Sequence, residues 1–174
     1  AMYKAKEKGK NNVQFFTKEM EVKAQQRRSL EIELREAIRN NELVLHYQPI
    51  HELETGKVVS AEALIRWLHP QRGLISPIEF IPLAEDIGFI VDIGDWVLAQ
   101  ACKQAKIWQT QLKSAPKISV NISTVQLHRP DFFNKIKAVL AQSKPPPELL
   151  TLEMPERFLI DENDGTLAKL KAIR

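Results

Sequence analysis

Leu43-Val44-Leu45-His46-Tyr47-Gln48-Pro49-Ile50 and Val58-Val59-Ser60-Ala61-Glu62-Ala63-Leu64-Ile65-Arg66-Trp67 are two β-type runs. Between them lie only His51-Glu52-Leu53-Glu54-Thr55-Gly56-Lys57. That connection is too short for a crossover helix, so the two runs are expected to pair antiparallel, as a hairpin. Beyond Trp67 the pattern changes. A loop carrying Pro70, Gly73 and Pro77 leads into two helical stretches, about 77–87 and 92–112. A third strand is expected over 118–123, a helix over 131–142, a break at Pro145-Pro146-Pro147, a fourth strand over 149–154 and a last helix over 165–173. Strands alternating with long helices predict an α/β fold with a mainly parallel sheet.

Strand side chains alternate between faces. In the second strand Val59, Ala61, Ala63, Ile65 and Trp67 share one face, and Ser60, Glu62, Leu64 and Arg66 the other. In the third, Ile118, Val120 and Ile122 oppose Ser119, Asn121 and Ser123; in the fourth, Leu150, Leu152 and Met154 oppose Thr151 and Glu153. Each strand thus has an apolar face for helices and a second face with an oxygen ligand near its C-terminal end. If helices bury both faces, these polar groups need partners. Glu62, Asn121 and Glu153 would converge into a hard-oxygen cluster suited to Mg²⁺ or Mn²⁺. Arg66, on the Glu62 face, could hold a phosphate. The competing reading is a set of internal ion pairs, Arg66 with Glu62 for example.

Composition narrows the field. The chain has 174 residues, 44% hydrophobic and 27% charged, a globular rather than disordered balance. A single cysteine, Cys102, excludes an internal disulfide framework and a multi-cysteine zinc site. No apolar run approaches the roughly 20 residues that span a bilayer, and no signal-peptide core opens the chain, so a cytoplasmic location is expected. The parent could still be anchored to the inner membrane by an upstream segment. A net charge of +3 gives little reason to expect a nucleic acid polymer as partner.

Toward the N-terminus, Ala1-Met2-Tyr3-Lys4-Ala5-Lys6-Glu7-Lys8 are good helix formers, Gly9 is a C-cap type stop, and Val13-Gln14-Phe15-Phe16 is β-like. This reads as the end of a preceding domain. Residues 17–41 read as a helix stopping at Asn40-Asn41, with Leu30, Leu34, Ala37 and Ile38 forming a docking stripe. Glu31, Glu33 and Glu36 among Arg27, Arg28, Arg35 and Arg39 read as a solvated face.

Other residues invite blander readings. His46, His51, His69 and His128 lack metal-ligand spacing, and His69 before Pro70 is expected to shape its loop. Cys102 falls with Val97, Leu98, Ala101 and Ala105 on one helix and is expected to pack. Trp96 and Trp108 read as core or interface, and Lys4, Lys6, Lys8 and Lys10 as solvated surface.

Ala61-Glu62-Ala63-Leu64-Ile65-Arg66-Trp67 resembles the signature of EAL domains, the cyclic di-GMP phosphodiesterases. Around it stand Tyr47-Gln48-Pro49-Ile50, Trp67-Leu68-His69-Pro70, Gly73-Leu74-Ile75-Ser76-Pro77 and Phe80-Ile81-Pro82-Leu83-Ala84-Glu85. Val120-Asn121-Ile122-Ser123 and Leu152-Glu153-Met154-Pro155-Glu156 complete the order. The likeness runs from about Leu34 to the last residue. Ala1-Met2-Tyr3-Lys4-Ala5-Lys6 with Gly9-Lys10-Asn11 resembles the closing helix of a GGDEF diguanylate cyclase domain. The domains expected are therefore a GGDEF tail at 1–16, a helical linker at 17–33 and the N-terminal half of an EAL domain at 34–174.

The resemblance implies a partial (β/α)₈ TIM-type barrel whose first strand is antiparallel, with chemistry at the C-terminal strand ends. It implies hydrolysis of cyclic di-GMP to linear pGpG with two divalent metals, Mg²⁺ or Mn²⁺. Glu62, Asn121 and Glu153 match family metal ligands, and Glu156 a glutamate that steadies a ligand-bearing loop. Gln48, Leu64 and Arg66 match substrate-contacting positions, with Arg66 on a phosphate. The parent is expected to be a homodimer carrying an upstream GGDEF or sensory domain. Pro155 replaces the family's usual threonine, which removes a backbone donor and favours extended geometry at Met154. The family's paired aspartates, a lysine near the attacking water, and further glutamate and glutamine positions lie downstream of Glu153 and are absent from this sequence. A barrel takes roughly 250 residues, so an incomplete catalytic half, inactive alone, is expected. Two alternatives stand beside it: a non-catalytic cyclic di-GMP-binding regulatory module, and a dimerisation piece built on the Leu30–Ile38 stripe and open sheet edges.

Overall fold

The computed structural model describes residues 18–154. The expected GGDEF-like tail, the 165–173 helix, Pro155 and Glu156 lie outside the described residues. In chain order the elements are α1 (Lys18–Ala37), β1 (Leu43–His51), β2 (Val58–His69), β3 (Gly73–Ile75), α2 (Pro77–Asp86), α3 (Ile90–Gln111), β4 (Lys117–Asn121), α4 (Thr124–Leu127), α5 (Phe132–Ser143) and β5 (Leu150–Glu153). A single 3₁₀ turn, Pro147–Leu149, precedes β5.

β1 and β2 form the antiparallel hairpin expected from their short connection. Gly56, at φ 67°, makes the turn possible, and its N–H donates to the Glu52 carbonyl at 2.8 Å. β2 then pairs in parallel with β4, and β4 with β5. The strand order is β1-β2-β4-β5. α2 and α3 connect β2 to β4, and α5 connects β4 to β5. An antiparallel first strand followed by β/α units is a partial (β/α)₈ barrel, as expected.

One face of this sheet builds the core. Ala63 and Trp67 of β2, with Ile118 and Val120 of β4, join Leu98, Ala101, Cys102 and Ala105 of α3 in one buried cluster. Trp67 is fully buried, edge-on to Phe80 at 5.7 Å between ring centroids, and its indole N–H donates to Glu42 Oε2 at 2.9 Å. Cys102 packs as expected. Trp96 and Trp108 lie against this core, and Trp108 meets Tyr47 edge-on at 5.1 Å.

α1 docks through the anticipated stripe: Leu34 and Ala37 are fully buried, with Leu30 and Ile38 packed against the core. It ends at Ala37, earlier than Asn40-Asn41 suggest, and Asn41 at φ 56° turns the chain into β1. Glu33 departs from the solvated-face reading. Its Oε2 lies 3.0 Å from His69 Nε2 and 3.2 Å from Arg72 Nη2. Glu31 with Arg35, Arg27 with Asp86, and Glu36 with Arg39 just past the helix end do stay at the surface.

Two short elements escape the sequence reading. β2 runs on to His69 and folds back into β3, with Gly73 at φ 71°. His69 shapes this turn, as expected: its Nδ1 accepts from the N–H groups of Gln71 and Arg72, both at 3.2 Å. β4 stops at Asn121 rather than at residue 123, because Ser123 is the N-cap of α4. Its Oγ accepts from Gln126 N at 3.4 Å while Gln126 Oε1 accepts from Ser123 N at 3.1 Å, a complete capping box.

Candidate active site

The strand registers decide which side chains share the open face. Gln48 of β1 lies opposite Glu62 of β2, His46 opposite Leu64, and Val44 opposite Arg66. Glu62 is level with Ser119 of β4, which is level with Thr151 of β5; Asn121 is level with Glu153. Partners in register point to the same side of a sheet. Gln48, Glu62, Leu64, Arg66, Asn121 and Glu153 therefore occupy one face, opposite the helix-packed core. Neighbouring strands lie about 4.8 Å apart, so β2, β4 and β5 bring Glu62, Asn121 and Glu153 into one cluster.

The direct contact is between Asn121 and Glu62: the amide Nδ2 donates to Oε1 at 2.6 Å. At the exit of β4 the Ile122 N–H donates to the Glu153 carbonyl at 2.9 Å, which ties the chain after Asn121 to β5. The competing Arg66–Glu62 ion pair is not formed. Arg66 Nη1 instead donates to the carbonyl of Ile65 at 2.8 Å.

This face is more open than the expectation of two buried faces allowed. Glu62, Leu64 and Arg66 are partly exposed, and Gln48, Asn121 and Glu153 are exposed. Ser119 is the exception, at 4% exposure beneath the cluster. The carboxylates thus keep much of their hydration among the described residues, and no large desolvation cost is incurred.

Beside the cluster opens a cavity of about 430 Å³. Leu64, Arg66, Asn121 and Glu153 line its strand side; Ile81, Glu85, Ile93 and Gly94 are among the residues of its helical wall. Glu62 and Gln48 sit one side-chain row deeper along the strands, outside this lining. The cavity's position at the C-terminal ends of parallel strands is where α/β barrels place their sites. Among the described residues no three His, Cys, Asp or Glu side chains are grouped as a metal centre. The donors gathered here are two carboxylates and one amide. All are oxygen ligands, which fits a hard divalent cation. With its nitrogen on Glu62, the Asn121 amide keeps its oxygen for another partner.

The spacing of the histidines gives His46 no part in a site. The β1–β2 register places it on this same face, in the row of Leu64, Asn121 and Glu153. Its alternation with Gln48 in the hairpin was the signal available in the sequence.

Comparison with known proteins agrees with this architecture. The family model of the EAL domain matches residues 31–174, and the chain belongs to the EAL domain family. The chain is 41% identical over its whole length to a signaling protein of Caulobacter vibrioides. It is 39% identical, over 99% of its length, to the bifunctional diguanylate cyclase/cyclic di-GMP phosphodiesterase MucR of Pseudomonas aeruginosa. It spans 21% and 25% of the lengths of these two curated relatives. The solved structure of a MucR phosphodiesterase–c-di-GMP complex superposes with a TM-score of 0.78 at 38% identity, covering 83% of this chain and 59% of that one.

Proposed function

We propose that this chain contributes the substrate- and metal-binding half of an EAL-type cyclic di-GMP phosphodiesterase, which hydrolyses cyclic di-GMP to linear pGpG. The observation that carries the reading is the meeting of Asn121 with Glu62 across β2 and β4, with Glu153 in register beside Asn121. Membership in a family whose relative MucR is a cyclic di-GMP phosphodiesterase supports it.

In this proposal Glu62, Asn121 and Glu153 would hold Mg²⁺ or Mn²⁺, and Glu156 takes the part of the glutamate that steadies a ligand-bearing loop. A pair of such ions supplies a water of lowered pKa and charge stabilisation at the phosphorus. Asn121 orients Glu62 through its amide nitrogen and presents its oxygen. Arg66 is drawn off the Ile65 carbonyl to pair with a phosphate oxygen. Gln48 and Leu64 position the nucleotide against the open sheet face. Water adds to phosphorus, the bond to the ribose 3′ oxygen breaks, and a proton passes to that leaving oxygen.

The parent is proposed to be a cytoplasmic-facing homodimer in which 1–16 ends a GGDEF domain and 17–33 links it to the EAL domain; the bifunctional name of the MucR relative supports that arrangement. Among the described residues no helix is long and apolar enough to cross a membrane. Turnover is proposed to need the full-length gene product, with this chain alone inactive.

The test compares full-length protein and its Glu62→Ala variant for conversion of cyclic di-GMP to pGpG with Mn²⁺. A loss of about a hundredfold or more is expected on removing Glu62. Near-normal turnover by Glu62→Ala, or binding of cyclic di-GMP by the wild type without consumption, would overturn the enzymatic reading. Robust turnover by the 174-residue chain would overturn its proposed inactivity.

A further inference from the structure

Gly94 sits inside α3, where glycine is a poor helix former. Its surroundings explain the choice. A Cβ built on Gly94 would overlap the side-chain amide of Gln126, falling 2.6 Å from its Cδ and 3.0 Å from its Oε1. The end of a glutamine usually yields to such a neighbour. This one is 5% exposed and its Oε1 holds the N–H of Ser123 in the capping box of α4. Moving it aside would break the half of the box that holds the Ser123 N–H, leaving only the Ser123 Oγ bond to Gln126 N to fix the turn that begins two residues after Asn121. The next residue, Ile122, is tied to Glu153 through its N–H. Gly94, Gln126, Ser123, Asn121 and Glu153 all line the same cavity.

We propose that Gly94 is a positioning residue: by lacking a side chain it lets α3 close on Gln126, whose amide fixes the Ser123 turn and so the direction in which Asn121 meets Glu62. The link runs from the second turn of a core helix to the carboxylate–amide pair without touching it. For its consequence on metal binding, this inference rests on the proposed function; its geometric part stands apart from it.

The experiment uses Gly94→Ala, Gln126→Ala and the double variant in the full chain. Three readings are taken: thermal midpoint, the Asn121 side-chain NH₂ resonances in a ¹⁵N–¹H spectrum, and Mn²⁺ affinity from water-proton relaxation. Gly94→Ala is expected to lower the midpoint, displace the Asn121 resonances and weaken Mn²⁺ by about tenfold, the scale for groups that orient a ligand. In the Gln126→Ala background the same Gly94→Ala change is expected to raise the midpoint. The Cβ then finds room, and alanine is the better helix former.

Unmoved Asn121 resonances in a folded Gly94→Ala variant would overturn the proposal, whatever the midpoint does. So would a midpoint raised in both backgrounds. If Gly94→Ala fails to fold, Gln126→Ala decides: displaced Asn121 resonances support the link and undisplaced ones refute it. A wild-type chain that binds no Mn²⁺ would sink the metal assignment of the chain, leaving the positioning role to be decided by the Asn121 resonances.

Discussion

The Asn121 side-chain amide donates to Glu62 Oε1 at 2.6 Å, joining adjacent parallel strands at the level of their open face. The bond uses the one donor in a cluster otherwise made of acceptors. Asn121→Asp would remove that donor and set a second carboxylate against the first. At low ionic strength a loss of about 1 kcal/mol is expected, since the site is exposed and water screens the repulsion. Added Mn²⁺ should restore the melting temperature of Asn121→Asp and raise it more than that of the wild type. Melting curves with and without Mn²⁺ check this. Equal metal responses in the two proteins would count against a cation seat between residues 62 and 121.

Glu33 offers a pH-dependent test. The Ser29 hydroxyl, bonded to its Oε1 at 2.7 Å, holds the Glu33 carboxyl below the usual glutamate range, assisted by the charge of Arg72 and the contact with His69 and opposed by burial. A carboxyl whose folded pKa is depressed adds stability above its unfolded value and loses it as pH falls through the folded one. The midpoint difference between wild type and Glu33→Gln should therefore be full at neutral pH. It should shrink below about pH 4 and level off at a constant residual once both states are protonated, the ionisation-linked part being lost. A difference that grows on acidification would refute the assignment.

His69 is the hub of the same contact. Its Nδ1 accepts from two backbone N–H groups, so that nitrogen carries no proton and Nε2 is the donor to Glu33. His69→Phe keeps the buried ring beside Trp67 but leaves the N–H groups of Gln71 and Arg72 without that acceptor. A loss of about 1–2 kcal/mol is expected, since Gln71 and Arg72 are exposed and water can take up much of the lost bonding at this turn. Urea unfolding measures it. A change below about 0.5 kcal/mol would show that the turn does not depend on the imidazole.

What the sequence disclosed, and what it withheld, follows from the range of the forces involved. The hairpin was legible because its connection is too short for any other pairing. The shared face of Glu62, Asn121 and Glu153 was legible because strand alternation has a fixed period of two. Glu33 was misread because helix-face charges look alike until the partner, thirty-six positions away at His69, is known. β3 was missed because a three-residue strand carries too little pattern to stand out beside Pro70 and Gly73. The end of β4 was set too late because Ser123 fits the alternation, while its role as a cap depends on Gln126. Gly94 stands in the sequence as a glycine inside a helix, but its reason is hidden, since only the folded chain brings Gln126 against α3.

Cys102 is fully buried in the core against α3's neighbours, and burial pushes its thiol up to about 11, with a hydrogen bond to Ser143 acting the other way. The thiolate is the reactive form, and at pH 8 it would make up only about a thousandth of the population even if a reagent could reach it. The native chain should therefore resist a thiol-reactive dye at pH 8, and one equivalent should react once guanidinium unfolds the protein. Cys102→Ser adds a second test of the same packing. It exchanges a soft, weakly polar group for a hydroxyl of similar size, and a loss of about 1–3 kcal/mol is expected unless the new hydroxyl finds Ser143. Labelling of the folded chain at the rate of a free thiol would mean that α3 opens readily from the sheet, and the buried core described around Trp67 and Phe80 would then fail as the rigid wall of the candidate site.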